Sequence, residues 1–367
     1  KAQAQRVHDE LTRWRLREGQ LLIVDEASIA GTRELDQIVA LAGRARTKVL
    51  LVGDWAQLSA VSAGGAFRLV ATDRSDAPQL HDVRRFRHDW EGAATLRVRA
   101  GEAAVVGEYV DRGRVASGDR EAMLDALFAA WRDDVGAGQR SLMVAVEGGT
   151  VRELNKRVRA DRMAAGRVSG DGVEIADGLV AGVGDQVVTR LNQRDLTAGS
   201  TWVKNGDVWT VTGLDRDGSL VVAARGRGQV RLPPSYVAEH VELGYATTAH
   251  RAQGRTVDRT HAFIDIGTTQ EALYVMATRG RSSNMMYVDT ALDRNLTDEG
   301  PPAEHADVAE VLAHALQTSE AELSAHETGA ALMALQLDHA PKRTSELAHP
   351  TGWRSAGVEH LAPSFRS

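Results

Sequence analysis

The sequence predicts an α/β protein built on parallel sheets, with a small antiparallel β-barrel inserted in the chain and a helical extension after it. Two short apolar runs at 21–24 and 49–52 flank a helical pattern, which is the order of a βαβ crossover. Between about 168 and 240, Gly and Asp separate short strand-like runs, a pattern typical of a small barrel. Buried-looking strands resume afterwards, at 241–248, 260–266 and 285–289.

Composition excludes several classes of protein. The 367 residues are enough for two or three domains of roughly 100–200 residues. Lys and Arg number 44 against 50 Asp and Glu, so a uniformly basic nucleic-acid coat is excluded, although a local basic channel is not. The lack of cysteine excludes disulfides, thiolate metal sites and cysteine nucleophiles. With no long apolar span and no secretory leader in the sequence, we expect a cytoplasmic protein without a membrane span.

The elements are predicted in order along the chain. Apolar residues at helical spacing predict an amphipathic helix over 2–18, ended by Gly19. The wholly apolar runs 21–24 and 49–52 are typical of parallel strands buried on both faces. Residues 80–134 read as mostly helical, 141–146 as a strand and 149–165 as a helix. After Pro301-Pro302 the chain reads as helical to about 338, and its last 25 or so residues as a flexible tail.

Acidic residues stand at the end of the first predicted strand. Asp25 and Glu26 follow the apolar run directly, at the edge of the sheet where ligands bind in open α/β folds. In nucleotide hydrolases an aspartate at this position orients hydrated Mg²⁺, and a neighbouring glutamate can act as the general base toward water. Taken alone, the pair fits a solvated acidic loop equally well.

The second strand ends in Gly53 and Asp54, followed three residues later by Gln57. Glycine permits a tight turn off the strand, and the Gln57 amide can both donate and accept hydrogen bonds. Gln57 is therefore a candidate for reporting whether a γ-phosphate is present. Its position one crossover away from Asp25 and Glu26 favours this interpretation over an ordinary loop.

Five segments in fixed order give the chain a family resemblance. They are Asp25–Ser28, Gly53–Leu58 with its continuation to Phe67, residues 80–90, Gly244–Thr256 and Tyr274–Arg281. These segments resemble motifs II to VI of superfamily 1 DNA helicases of the RecD-like branch. The similarity is greatest to the C-terminal helicase part of actinobacterial MobF-type (TraA- or TrwC-like) conjugative relaxases, and it spans about residues 1–295. Trp55 departs from the family, where many relatives carry proline.

The resemblance implies an ATP-driven motor that moves 5′ to 3′ on single-stranded DNA, with Mg²⁺ as cofactor. It implies Mg²⁺ at Asp25, and arginines on the γ-phosphate at Arg85 and Arg279. Arginine suits this role because its fork matches phosphoryl oxygens, although a surface ion pair is the default interpretation of any single arginine. The remaining implied residues are Gly53, Asp54, Gln253 and Gly254 for nucleotide coupling, and Thr248, His250 and Thr256 for DNA binding. A structural role for His250 stays open.

The resemblance also implies the domain organisation. The predicted units are a partial first RecA-like (P-loop NTPase) motor domain at 1–78, a second at 79–167 and 241–295, a Src-homology-like barrel at 168–240, a helical extension at 296–340 and a tail at 341–367. In the barrel, Trp202 and Trp209 could stack on unpaired bases. We expect Trp209, on an alternating strand, to lie in the core instead, and leave Trp202 open.

One expected motif is missing. The phosphate-binding loop GxxxxGK[ST] needs a Gly-Lys pair, which the sequence lacks. We therefore expect that loop, and a relaxase domain, to lie upstream of Lys1, and this fragment alone to be inactive. Two alternatives stay open: a non-catalytic DNA-binding remnant, and a repair helicase without a relaxase. Conjugation or relaxosome proteins are the expected partners of the C-terminal extension.

Overall fold

The computed structural model describes residues 12–59, 65–74, 76–80, 82–291 and 306–319. Most of the helix predicted over 2–18 lies outside these ranges, as do part of the Gly53–Phe67 segment and the predicted tail. Of the predicted extension, the described part contains one helix, at Val308–Gln317. Among the described residues, no helix combines the length and the apolarity needed to cross a bilayer.

The first part of the chain forms the predicted crossover. Strand β1 (Leu21–Val24) pairs in parallel with β2 (Lys48–Leu51), and helix α1 (Thr32–Arg44) connects them. A 3₁₀ turn, Ala27–Ile29, follows β1. The prediction that these strands are buried on both faces is wrong: Leu21 is 55% and Ile23 58% exposed. The physical reason is that, in the described part of the chain, this sheet has two strands and one face of each stays uncovered.

A second, five-stranded sheet is parallel throughout, in the order β14-β4-β15-β16-β3. Its strands are β3 (Val115–Gly118), β4 (Ser141–Ala145), β14 (Ala246–Thr248), β15 (Val257–Ile264) and β16 (Gly280–Asp289). Strand β3 lies inside the stretch predicted to be mostly helical. Its sequence, Val-Ala-Ser-Gly, has too few strong strand formers to be recognised without its neighbour β16.

Helix α2 (Ala66–Asp73) packs against α1 and the 3₁₀ turn of the first crossover. The helices that cover the two faces of the parallel sheet are α3 (Asp89–Arg99), α4 (Val105–Asp111), α5 (Arg120–Gly136), α6 (Gly148–Ala164), α8 (Ala249–Ala252), α9 (Gln270–Met276) and α10 (Val308–Gln317). Helix α7 (Pro234–His240) contacts the strand Val241–Leu243 of the antiparallel sheet instead. Successive residues of β4 alternate between two cores: Met143 packs with α5 and α6, whereas Leu142 and Val144 pack with α3, α9 and α10. Ala56 and Leu58 join the second core, which anchors the loop after β2.

The predicted barrel region forms an antiparallel sheet in the order β12-β11-β10-β7-β13, with two hairpins beside it. The strands are β5 (Val173–Glu174), β6 (Val180–Ala181), β7 (Gln186–Thr189), β8 (Gln193–Ala198), β9 (Thr201–Val203), β10 (Val208–Leu214), β11 (Leu220–Ala224), β12 (Gly228–Leu232) and β13 (Val241–Leu243). Trp209 is buried, as its alternating strand predicted. The sequence placed the end of the barrel at 240 and assigned residues from 241 onward to the second motor domain. In the structure β13 pairs with β7 of the antiparallel sheet rather than with the parallel sheet.

The fold class is therefore confirmed as α/β with parallel sheets, an antiparallel insert and a helix beyond it. The carboxyl ends of β1, β2 and β14 carry the predicted Asp25–Glu26, Gly53–Asp54 and Thr248–Gly254 segments.

Candidate functional site

Glu26 stands in the turn that leaves β1, and its backbone is left-handed, with φ 52° and ψ 41°. Its N–H donates to Asp25 Oδ1 over 2.9 Å, and the next N–H, of Ala27, donates to the carbonyl of Val52 over 2.9 Å. A non-glycine residue in this conformation costs of order 1–3 kcal/mol, and such strain is concentrated at functional sites. The turn thus holds the backbone of Glu26 in a strained conformation at the end of β1.

Glu26 meets a segment more than 200 residues away in sequence. Gln253 Nε2 donates long hydrogen bonds to Glu26 Oε2 and to Ser28 Oγ, both at 3.4 Å. Gly254 has φ +75°, and a Cβ built there would lie 3.6 Å from Glu26 Oε1. Gln253 Oε1 is buried and makes no hydrogen bond with a described residue. The structure therefore brings together Glu26, Gln253 and Gly254, which the sequence assigned to two different motifs.

The two predicted phosphate-binding arginines lie at the carboxyl end of α9. Arg85 Nη1 donates to the carbonyl of Thr278 over 2.5 Å. Arg279 is 1% exposed, and it donates from Nε to the carbonyl of Val275 over 2.8 Å and from Nη2 to Thr278 Oγ1 over 2.6 Å. Within the described residues, neither guanidinium has a carboxylate at ion-pair distance.

The charge of Glu26 acts on both arginines. Burial, and after it the charge of Arg85, lower the pKa of Arg279 to about 10, although Glu26, Tyr274 and Asp54 oppose the shift. Burial also lowers the pKa of Arg85, with Tyr274 and Glu26 opposing. Glu26 thus acts on both cations, of which Arg279 is buried and Arg85 half-buried, and Arg279 also lies in the field of Asp54. Because neither guanidinium is paired with a described carboxylate at ion-pair distance, the two arginines favour an anion such as a phosphoryl group at this place.

Asp54, in the loop after β2, accepts hydrogen bonds from four groups. It accepts from Ala56 N at 3.2 Å, Gln57 Nε2 at 3.3 Å, Arg99 Nε at 3.1 Å and the Tyr274 hydroxyl at 2.8 Å. Because Nε2 of Gln57 is engaged, its buried Oε1 is left as an acceptor without a described partner. The amide predicted to sense a phosphate is therefore held in one orientation.

Sequence reasoning missed the roles of Tyr274 and Arg99 in this network. Tyr274 stands in the segment quoted for the family, five residues before Arg279, and that position was its only signal. Arg99 also stacks on Trp55, with its guanidinium carbon 4.8 Å from the ring centroid. The tryptophan that departs from the family's proline is thus packed against an arginine of α3.

Gly53 is required by a close approach. A Cβ at this position would lie 3.1 Å from the backbone nitrogen of Ala27 and 3.1 Å from Cε1 of Phe67. The sequence predicted a tight turn, whereas the structure shows two neighbouring chain segments pressed against the glycine.

Asp25 is exposed at the end of β1, and its described hydrogen bond is the one from Glu26 N–H. Mg²⁺ in nucleotide sites usually keeps several waters and binds one or two carboxylates together with substrate phosphates. Asp25 suits such a water-rich ion. The described residues contain no cluster of three or more acidic or histidine side chains that could enclose a metal. The structure records no contact of Asp25 with Gln57, Arg85 or Arg279.

The residues predicted to bind DNA lie in three places. Thr248 ends β14 and precedes α8, on which His250 is exposed. Thr256 is half-buried just before β15. Trp202, half-buried on β9, has Arg194 and Lys204 within 5.4 and 5.3 Å of its ring centroid. The recorded contacts do not join Trp202 to the other three, so its role in DNA binding stays a prediction.

Comparison with known proteins finds similarity over much of the chain. Residues 2–120 match the family model described as AAA domain, which supports a P-loop NTPase fold for the first part. The chain is 31% identical over 278 residues to the conjugal transfer protein TraA of Rhizobium radiobacter, and 30% identical over 275 residues to that of Agrobacterium fabrum. These alignments cover 74% and 73% of this chain and 24% of each relative. The chain thus spans about a quarter of the length of these relatives.

Among solved structures, the Pif1 helicase from Candida albicans is similar with a TM-score of 0.48 and 16% identity, covering 77% of this chain and 74% of that one. The Pif1 helicase from Bacteroides in complex with ADP-AlF3 and ssDNA gives a TM-score of 0.47 and 15% identity, covering 77% and 73%.

Proposed function

We propose that this chain is the motor part of an ATP-dependent DNA helicase that acts in conjugative DNA transfer and moves 5′ to 3′ on single-stranded DNA. The similarity to TraA proteins over three-quarters of the chain supports the conjugative context. It favours this function over a repair helicase that lacks a relaxase. We also assign the chain to the RecD-like branch, with the motor, barrel and extension boundaries predicted from the sequence.

One observation carries the proposal: groups that lie far apart in the sequence converge around Glu26. Gln253 donates to its carboxylate, and the charges of Arg85 and Arg279 lie within its field. Gln253 and Gly254 follow Thr248 and His250 by a few residues. A change in the distance between Glu26 and Gln253 would therefore move the segment proposed to hold DNA.

Each residue has a distinct task in this proposal. Magnesium-bound ATP supplies the phosphoryl group and the leaving group of the reaction. Asp25 would hold the hydrated ion, and Glu26 would take the proton of the attacking water. Gln57, whose amide is bonded to Asp54, would report whether a γ-phosphate is present. Arg85 and Arg279 would stabilise the charge that develops on the phosphoryl oxygens.

The test uses the complete encoded protein, because the chain spans about a quarter of its relatives. We expect ATP hydrolysis that accelerates when single-stranded DNA is added. We also expect displacement of a duplex that carries a 5′ single-stranded overhang and none with a 3′ overhang. DNA binding without any hydrolysis would identify the non-catalytic remnant instead, and hydrolysis indifferent to DNA would contradict the helicase.

A further inference from the structure

A cavity of about 260 Å³ lies between the antiparallel sheet and the segment that carries Gln253. Strand β7 and the residues after it contribute Val188 and Arg190, and the 244–255 segment contributes Thr247, Arg251 and Arg255. None of the arginines belongs to the set predicted from the sequence. The cavity lies where the insert meets the second parallel sheet.

The lining is strongly cationic for its size. Glu242 accepts from Arg190 Nε at 2.9 Å, and from Arg251 at 2.6 Å and 3.2 Å, so one carboxylate is shared by two guanidinium groups. Arg255 is half-buried and makes no side-chain hydrogen bond or ion pair with any described residue. Three positive charges therefore face one negative charge.

These charges act on one another. Burial lowers the pKa of Arg190, Glu242 raises it, and the charges of Arg251 and Arg255 lower it again. Burial alone lowers the pKa of Arg255. An unpaired, half-buried guanidinium among like charges is unfavourable until an anion enters. Its five N–H donors match the oxygens of a phosphate.

We propose that this cavity binds a backbone phosphate of single-stranded DNA, with Arg255 as its principal contact and Arg190 and Arg251 beside it. The identification of the bound phosphate as part of a DNA strand rests on the proposed function. Arg255 stands between Gly254, which faces Glu26, and Thr256, which the sequence assigns to DNA. A phosphate held here would connect the strand directly to the segment that touches the candidate nucleotide site.

The test compares the parent chain with Arg255→Gln and with Arg216→Gln. Arg216 is exposed in the turn between β10 and β11 and does not line the cavity, so its replacement removes the same charge elsewhere. Binding of a fluorescent oligothymidine is followed by anisotropy over a range of NaCl concentrations. We expect Arg255→Gln to weaken binding about tenfold at low salt and to reduce the slope of log K against log salt by about 0.7.

A second measurement tests whether the cavity binds free inorganic phosphate. The melting temperature of each protein is measured with inorganic phosphate and with chloride at equal ionic strength. Because Arg255 has no side-chain partner among the described residues, the melting temperature of Arg255→Gln without phosphate should be equal to that of the parent or higher. If the parent and Arg255→Gln bind the oligonucleotide equally and with the same slope, the proposed site is wrong while the helicase function stands. If the parent binds no oligonucleotide, both the proposed function and the claim that the cavity binds a DNA phosphate are contradicted. In that case only phosphate protection that depends on Arg255 would support an anion site.

Discussion

The hydroxyl of Tyr274 donates to Asp54 Oδ2 over 2.8 Å and thereby connects helix α9 with the loop after β2. Asp54 also accepts from the Gln57 amide, and Arg279 follows α9 by a few residues. The candidate phosphate sensor is therefore joined through one carboxylate to the helix that precedes the candidate arginine. A displacement of Gln57 would therefore act on helix α9, and a displacement of α9 would act on Gln57.

Tyr274→Phe should destabilise the chain by about 1 kcal/mol, because it removes one hydrogen bond to a carboxylate while keeping the ring. Urea denaturation measures this. In a double-mutant cycle with Asp54→Ala, we expect a coupling energy of at least about 0.5 kcal/mol. Additive effects of the two substitutions would show that the bond contributes nothing.

Arg279→Gln and Arg85→Gln should each lower kcat for ATP in the complete protein by about 10³-fold or more, as expected for arginines that act on the phosphoryl group. Steady-state hydrolysis with saturating single-stranded DNA is the measurement. Arg87→Gln is the matched control, since Arg87 is exposed two residues from Arg85. If kcat of Arg87→Gln were as low as that of Arg85→Gln, the loss would reflect the change in net charge rather than contact with the phosphoryl group.

Gly53→Ala should destabilise the chain by about 1–3 kcal/mol, because the new Cβ would lie 3.1 Å from a backbone nitrogen and from the Phe67 ring. Gly107, in α4, has nothing within 4 Å of a built Cβ. Its replacement by alanine should stabilise the helix by about 0.5–1 kcal/mol. Chemical denaturation of both variants checks the pair, and equal effects would refute the packing argument at Gly53.

The buried His261 predicts a pH dependence of stability. Its Nε2 lies 2.8 Å from Asp134 Oδ2 and its Nδ1 3.2 Å from the Tyr287 hydroxyl, and Arg259 pairs with the same aspartate. Burial lowers the pKa of His261 below its usual 6.5, although Asp134 opposes this. The unfolded chain therefore takes up a proton at a higher pH than the folded chain.

Stability should accordingly fall as pH decreases below 6.5, until the folded His261 is protonated as well. Between about pH 7.5 and about pH 5.5, the parent should lose more unfolding free energy than His261→Gln. Urea titrations at both pH values measure the difference. Parallel losses in the two proteins would assign the pH dependence to other groups.

Local patterns were enough to predict the crossover, the alternating strands of the insert and the burial of Trp209. They failed where tertiary context decides. Strand β13 looks like its parallel neighbours but pairs with β7, and β3 is recognisable only beside β16. The pairing of Tyr274 with Asp54 spans 220 residues, and the arginines around Glu242 belong to different elements. No short-range pattern records such contacts.

Glu26→Gln in the complete protein tests the central claim most directly, because it removes the proposed base and keeps the shape of the side chain. ATP turnover in the presence of single-stranded DNA and the binding of a fluorescent ATP analogue are measured on the same preparation. The account predicts that turnover is abolished while nucleotide binding is retained. Hydrolysis at the rate of the parent would contradict the proposed role of Glu26 as the general base.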